Sequence, residues 1–290
     1  MRRFYQLSML CVVAGIVSAC RVEEVVKTED IPTAGVRFIN AVPDSSGAYG
    51  LDFRFVDIVE NNAQFRVSFR NSPTTSGGIT ASTLTEYKAT RAGSARHFRV
   101  FLDDTLINIA STVVKDSTLN LEAGHLYTVL MWGSGRSTGA DKMRLTVLDE
   151  APTNSAAQIA LRVINATSAP IDVREYAQGG TAPAAATWAS VPALGVSSWV
   201  VASPGQVMYN VQPAGGGTTL FSDQLALPGQ AATIDLPANP GTTVAGSAVT
   251  LVVYPRSTAG ARTPQTSAFA VPAGSFMWDK RPPNTCSPLC

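Results

Sequence analysis

A six-residue segment that occurs twice constrains the fold of this chain more than any other feature. Residues 36–41 read VRFINA, and residues 161–166 read LRVINA, 125 positions later. In both copies the apolar and polar residues alternate with the period of two that is typical of a half-buried β-strand. The distance between the copies is far longer than a solenoid or propeller unit, so the repeat predicts two tandem domains.

Short alternating segments separated by turn-forming residues follow each copy. In the first, Leu51, Phe53 and Phe55 alternate with charged residues, and residues 64–70 repeat the pattern. Residues 126–132 are apolar at almost every position, which predicts a central strand, and residues 133–141 predict a hairpin loop. No window keeps a helical period. The pattern favours an all-β fold of two tandem immunoglobulin-like β-sandwich domains, at residues 35–150 and 158–256.

The N-terminus has the features of an export signal. Arg2 and Arg3 precede an apolar run, at residues 7–19, that is shorter than the about 20 residues of a bilayer span. Residues 17–20 (VSAC) resemble a bacterial lipobox, which implies a signal peptide at residues 1–19, lipidation of Cys20 and a polar tether at residues 20–34. The alternative is ordinary secretory cleavage that leaves Cys20 as a free thiol. Lipidation implies a membrane anchor, and Arg21 in place of an aspartate favours the outer membrane or the cell surface.

The C-terminal residues 257–290 are predicted to be a linker and a tail. Because Phe276, Met277 and Trp278 are costly to expose, we expect this segment to pack back on a domain. The alternative is a peptide that docks on a partner. Cys286 and Cys290 lie in an oxidising compartment if the chain is exported, and either a disulfide or two free thiols fits their spacing.

The composition predicts little catalytic chemistry. The net charge of +1 argues against a nucleic-acid partner, and with two histidines and four cysteines we predict no catalytic residue, no cofactor and no metal site. Residues 135–139 (GRSTG) fit the serine-hydrolase motif G-x-S-x-G. However, they lie between two predicted strands, and a hydrolase would also need His97 or His125 beside Ser137. An extracytoplasmic hydrolase is therefore the alternative, and a noncatalytic binding or structural role in the cell envelope is the expectation.

Three further groups of residues suggest ligands less strongly than ordinary structural roles. Six arginines in the first repeat could form a patch for an acidic polysaccharide, or simply a solvated face: Arg54, Arg66, Arg70, Arg91, Arg96 and Arg99. Five aspartates lie in or near turns without the spacing of a calcium loop: Asp44, Asp52, Asp57, Asp103 and Asp104. Trp188 and Trp199 could stack on sugars, although burial is the commoner use of tryptophan in a sandwich. We predict that no titratable group gathers around Arg37 or Arg162. The expected partner is an envelope protein or a polysaccharide.

The paired segments also carry a family resemblance. Three corresponding features carry it: residues 36–41 and 161–166, the downstream LDF (residues 51–53) and IDV (residues 171–173), and the pairs Tyr87 with Gly93 and Trp199 with Gly205. Together these features resemble the bacterial domain-of-unknown-function family 4397. The resemblance covers about residues 35–256. It implies secreted or lipid-anchored proteins with tandem immunoglobulin-like domains, and it implies no catalytic residue.

Overall fold

The repeated segment forms strands that are buried on both faces. A computed structural model describes residues 31–44, 50–57, 87–103, 106–233, 236–256 and 271–282, and these are nearly all β. Strand β1 (Thr33–Ala41) contains the first copy of the segment, and β8 (Ile159–Asn165) contains most of the second. The sequence predicted half-buried strands, and this was wrong because a second layer of sheet covers the outer face of each strand.

Two sheets make up the first half of the fold. Sheet I has the order β3-β1-β6-β7, and sheet II has the order β2-β4-β5. The remaining strands of these sheets are β2 (Gly50–Phe55), β3 (Lys88–Arg91), β4 (Gly93–Asp103), β5 (Val113–Leu121), β6 (Leu126–Trp132) and β7 (Arg144–Asp149). A short helix, α1 (Ile107–Ala110), joins β4 to β5. Strand β6 is central, as predicted, and it runs parallel to β1.

Two further sheets make up the second half. Sheet III has the order β11-β8-β15-β16, with β12 also paired to β8, and sheet IV has the order β10-β9-β13-β14. Their strands are β9 (Ile171–Ala177), β10 (Trp188–Val191), β11 (Gly195–Val196), β12 (Val200–Ala202), β13 (Val207–Pro213), β14 (Phe221–Leu225), β15 (Ala248–Tyr254) and β16 (Ala273–Lys280). Strand β15 runs parallel to β8, as β6 does to β1.

Three apolar cores hold these sheets together. Sheets I and II enclose one core, in which Phe38 stacks on Phe53 and Phe98. Sheets III and IV enclose a second core around Trp188, Tyr209 and Phe276. The third core lies between the outer faces of sheets I and III. Face-to-face packing buries the apolar side of each sheet, and the third core joins the two halves, so that the described residues from Thr33 onwards form one compact unit.

The C-terminal part of the described chain belongs to sheet III. Strand β15 is the counterpart of β6, because it pairs in parallel with β8 as β6 pairs with β1. The segment that was expected to pack back on a domain does so as β16, which pairs with β15 along its whole length. Residues 273–280 therefore belong to sheet III, although the sequence placed them in the linker and tail. Phe276, Met277 and Trp278 are all buried there.

Candidate functional site: a buried charge cluster between the two halves

Two arginines at corresponding positions of the repeat meet between sheets I and III. Arg37 lies near the middle of a strand in which its neighbours are apolar, and it is only 1% exposed; Arg162 is 5% exposed. Burying a guanidinium group costs several kcal/mol unless charge and hydrogen bonds compensate for it. The surroundings of both residues supply this compensation.

Arg37 uses all three of its nitrogens. Its Nε donates to Thr128 Oγ1 at 2.8 Å, its Nη1 donates to the carbonyl oxygen of Trp278 at 2.5 Å, and its Nη2 donates to Asp279 Oδ1 at 2.5 Å. The ring of Tyr87 lies 4.4 Å from the guanidinium carbon, a cation–π arrangement. Two of these contacts connect β1 in the first half with β16 in the second.

Arg162 makes the corresponding contacts from the other side. Its Nε donates to Thr250 Oγ1 at 3.0 Å, and its Nη2 donates to Asp279 Oδ1 at 3.0 Å. The ring of Trp199 lies 4.3 Å from the guanidinium carbon. Thr250 Oγ1 in turn donates to Asp279 Oδ2 at 2.7 Å, so that both oxygens of this carboxylate accept hydrogen bonds.

Glu150 completes the cluster, which we call the junction cluster: Arg37, Glu150, Arg162 and Asp279. Glu150 Oε2 lies 2.8 Å from Arg162 Nη2, and Oε1 lies 3.6 Å from Arg37 Nη2. These are ion-pair contacts without hydrogen-bond alignment, because neither oxygen of Glu150 has a hydrogen-bond partner among the described residues. The cluster holds two positive and two negative charges and is therefore neutral overall.

The electrostatics keep Arg37 charged in spite of its burial. Desolvation alone would lower its pKa, but Tyr87, Asp279 and Glu150 together raise the pKa above the ordinary value. Burial, with Asp279 and Glu150 nearby, also raises the pKa of the Tyr87 hydroxyl. Arg37 and Tyr87 therefore both stay protonated across the physiological pH range. Neither of them can act as an acid or a base that titrates in that range.

A β-bulge aims Asp279 into the junction. Val249 pairs with Trp278 and Ala248 pairs with Lys280, so Asp279 is the extra residue between two paired positions. A bulge of this kind redirects a side chain without ending the strand. The sequence prediction that nothing titratable gathers around Arg37 and Arg162 was wrong, because the fold brings two acids to them from other strands. Asp279 is distant in sequence from both arginines, and Glu150, which follows β7, is distant from Arg37.

The other residues of the repeated segment have structural roles. Val36, Phe38, Leu161 and Val163 are core residues. Asn40 and Asn165 are strand-end residues: Asn40 Oδ1 accepts from the Val42 N–H at 3.1 Å, and Asn165 Oδ1 accepts from the Thr167 N–H at 2.9 Å.

Ser137 lies in the loop between β6 and β7 and makes no contact with a histidine. Its Oγ bonds to Asp141 and accepts from the Gly139 N–H at 3.1 Å. His97 Nε2 lies 2.7 Å from Asp116 Oδ1, and His125 Nδ1 lies 2.9 Å from Asp149 Oδ2. The hydrogen bond with Asp149 raises the pKa of His125. In this structure neither His97 nor His125 is a hydrogen-bond partner of Ser137.

Three described arginines of the proposed polysaccharide patch pair with carboxylates. Arg54 pairs with Asp52, Arg96 with Asp57, and Arg99 with Asp116. Arg96 also donates to the carbonyl oxygen of Arg91. Arg66 and Arg70 lie outside the described residues. These ion pairs neutralise much of the positive charge that the sequence concentrates in this region.

Three of the five aspartates, Asp44, Asp52 and Asp57, have structural partners. Asp44 is buried and accepts hydrogen bonds from Ser134 Oγ and from the N–H groups of Gly135 and Arg136. Asp52 and Asp57 pair with the arginines above, and Asp104 lies outside the described residues. In the described ranges no group of three or more histidine, cysteine, aspartate or glutamate residues could hold a metal ion.

Both tryptophans have structural contacts. Trp188 is buried in the second core and donates to the carbonyl oxygen of Ser198 at 3.1 Å, and Trp199 is half-buried against Arg162. Cys20, Cys286 and Cys290 lie outside the described residues, so lipidation and the disulfide stay predictions. Within the described part of the chain, no helix is both long and apolar enough to cross a membrane.

Fold and site together define an all-β protein whose two pairs of stacked sheets are joined by buried charges. Residues 34–174 match the model of a family described as a domain of unknown function (DUF4397). The match confirms the resemblance to this family over these residues. The matched region extends from β1 through most of β9, so it contains Arg37, Glu150 and Arg162. No curated protein matches the chain significantly.

Proposed function

We propose that this chain is a noncatalytic structural or binding protein of the cell envelope, held by a lipid on Cys20. In this proposal its two halves are tandem immunoglobulin-like sandwiches that act as one rigid unit. The observation that carries the proposal is the junction cluster. Its four charges are buried and paired across the junction, so this concentration of polar chemistry serves to fix the two halves together and is not open to a substrate.

The correspondence between the halves supports the tandem arrangement. Arg37 lies opposite Thr128 in the parallel pair β1–β6, and Arg162 lies opposite Thr250 in the parallel pair β8–β15. Parallel pairing is less common than antiparallel pairing. Its recurrence beside both copies of the repeated segment therefore favours one domain present twice.

A binding or structural role is favoured over a hydrolase by the contacts of Ser137. A serine nucleophile needs a base within hydrogen-bond reach, and Ser137 bonds to Asp141 instead. Labelling of the wild type, but not of Ser137→Ala, by a fluorophosphonate probe would overturn this part of the proposal.

The lipid anchor rests on the lipobox and is tested by replacing its cysteine. We expect Cys20→Ser to abolish labelling of the protein by an alkyne-tagged palmitate and to move it out of the membrane fraction. Cys11→Ser is the matched control, because Cys11 lies within the predicted signal peptide and should be removed with it. Persistence of Cys20→Ser in the membrane fraction, with the label retained, would show that Cys20 is not the anchor.

A further inference from the structure

The two faces that meet at the junction carry equivalent residues at equivalent positions. In sheet I the guanidinium of Arg37 bonds to Thr128, and in sheet III the guanidinium of Arg162 bonds to Thr250. The aromatic partners also correspond. Lys88 pairs with Val36, and Val200 pairs with Leu161, so Tyr87 and Trp199 precede equivalent positions on the neighbouring strands.

The apolar part of the junction follows the same correspondence. The parallel registers pair Ile39 with Leu130 and Ile164 with Val252, and all four residues belong to the third core. At the ends of the same central strands, Trp132 and Tyr254 also lie in this core. Each face therefore presents an isoleucine, a branched aliphatic residue and a large aromatic residue in the same order.

The acidic residues complete the match and contact the arginines crosswise. In the first half, Leu148 lies opposite Thr128, and Glu150 follows it by two residues. In the second half, Met277 lies opposite Thr250, and Asp279 follows it by two residues. Each half thus contributes one arginine and one acid. Arg37 of the first half bonds to Asp279 of the second, and Arg162 of the second half contacts Glu150 of the first. Each arginine also contacts the acid of its own half, at the longer distances of 3.6 Å for Arg37 with Glu150 and 3.0 Å for Arg162 with Asp279.

Reciprocal contacts between equivalent residues are the property of an isologous interface, in which one surface binds its own copy around a two-fold axis. We propose that the junction face is self-complementary and that it also fits a second copy of this chain. In such a dimer the first half of one chain pairs with the first half of the other, through Arg37 and Glu150. The second halves pair through Arg162 and Asp279.

The linker explains why the pairing occurs within one chain in this structure. Residues 151–158 connect the halves and extend at most about 28 Å, which keeps the local concentration of each face near the other high. The pairing within one chain therefore prevails unless it is selectively weakened. Charge reversal on one half weakens it selectively, because it makes the contacts between unlike halves repulsive while the contacts between like halves stay attractive.

The test is the double variant Arg37→Glu with Glu150→Arg, in the full mature chain. In one molecule the introduced acid then faces Asp279 and the introduced arginine faces Arg162, so the intramolecular junction is repelled. Between two molecules, each reversed face keeps one acid and one arginine in complementary positions. We expect the molar mass measured by light scattering to double relative to the wild type, with the circular dichroism spectrum unchanged.

Two further variants make the outcome decisive. The equivalent pair on the other half, Arg162→Glu with Asp279→Arg, should give the same dimer. The variant that combines all four substitutions should return to a monomer, because unlike halves are complementary again. A double variant that stays a monomer, opens or aggregates without forming a dimer would overturn the proposal. So would a fourfold variant that remains a dimer.

Discussion

Asp279 accepts hydrogen bonds from both buried arginines, so its replacement by asparagine tests the main structural claim directly. Its Oδ1 lies 2.5 Å from Arg37 Nη2 and 3.0 Å from Arg162 Nη2, and its Oδ2 accepts from Thr250. Asp279→Asn is almost isosteric and removes no apolar contact. It leaves two buried positive charges with Glu150 as the remaining acid of the cluster.

The expected loss is large because the other charges stay buried. Removing one partner of a buried ion pair costs about 3–5 kcal/mol. In a protein of this size about 1 kcal/mol corresponds to roughly 2–4 °C in Tm, so we expect Tm to fall by about 6–20 °C. Urea denaturation at pH 7, followed by tryptophan fluorescence, measures the free energy of unfolding, and Trp278 next to the cluster reports on the junction.

The matched control is Asp116→Asn. Asp116 also contacts two basic side chains, His97 and Arg99, but its side chain is 48% exposed. Water screens an exposed pair, so this substitution should change stability little. An Asp279→Asn protein whose unfolding free energy lies within about 1 kcal/mol of the wild type, or a loss no larger than that of Asp116→Asn, would refute the reasoning.

Two more predictions concern the chemistry of single side chains. Arg37→Lys should destabilise the protein more than Arg162→Lys. The reason is that lysine cannot reproduce the three directed hydrogen bonds of Arg37, whereas at Arg162 it has only two to replace. The urea midpoints of the two variants check this order, and equal midpoints would contradict it. Glu175→Gln should raise Tm at pH 7 and leave it unchanged at pH 3. Burial raises the pKa of Glu175 in the folded state, so the wild type is favoured below the ordinary carboxyl pKa and loses stability as pH rises through the folded pKa, whereas glutamine loses no proton. A Tm difference that does not change with pH would contradict this assignment.

Much of the secondary structure can be predicted from the sequence because alternation and turn formers are local signals. Strand β6 and the loop after it were recognised from their apolar run and small residues. Strand β5 (Val113–Leu121) was missed because its apolar and polar residues do not alternate regularly. Two charged residues, Lys115 and Asp116, follow each other, and Val113 is apolar but exposed. Strand β16 was assigned to the tail because a region rich in glycine, serine and proline separates it from β15.

The junction cluster could not be predicted for a different reason. An arginine between apolar residues in a strand normally marks the solvated face of a sheet, and the alternation around Arg37 and Arg162 fits that interpretation. The two arginines are buried instead because sheets I and III pack against each other. Their partner Asp279 lies more than a hundred residues beyond Arg162 and reaches it through a bulge. The one local signal was the recurrence of arginine at the same place in both copies, where a solvated face would tolerate any polar residue.

The function of this recurrence follows from the cost of buried charge. An apolar junction would hold two sheets together at least as well, since replacing a buried ion pair by packed apolar residues is often neutral or stabilising. We expect a cluster of two arginines and two acids instead to penalise every arrangement that leaves a charge unpaired, and so to favour one alignment of sheets I and III. Because Asp279 lies on β16, that alignment depends on the last described strand, and the two halves can reach it only after the chain has been completed to that strand.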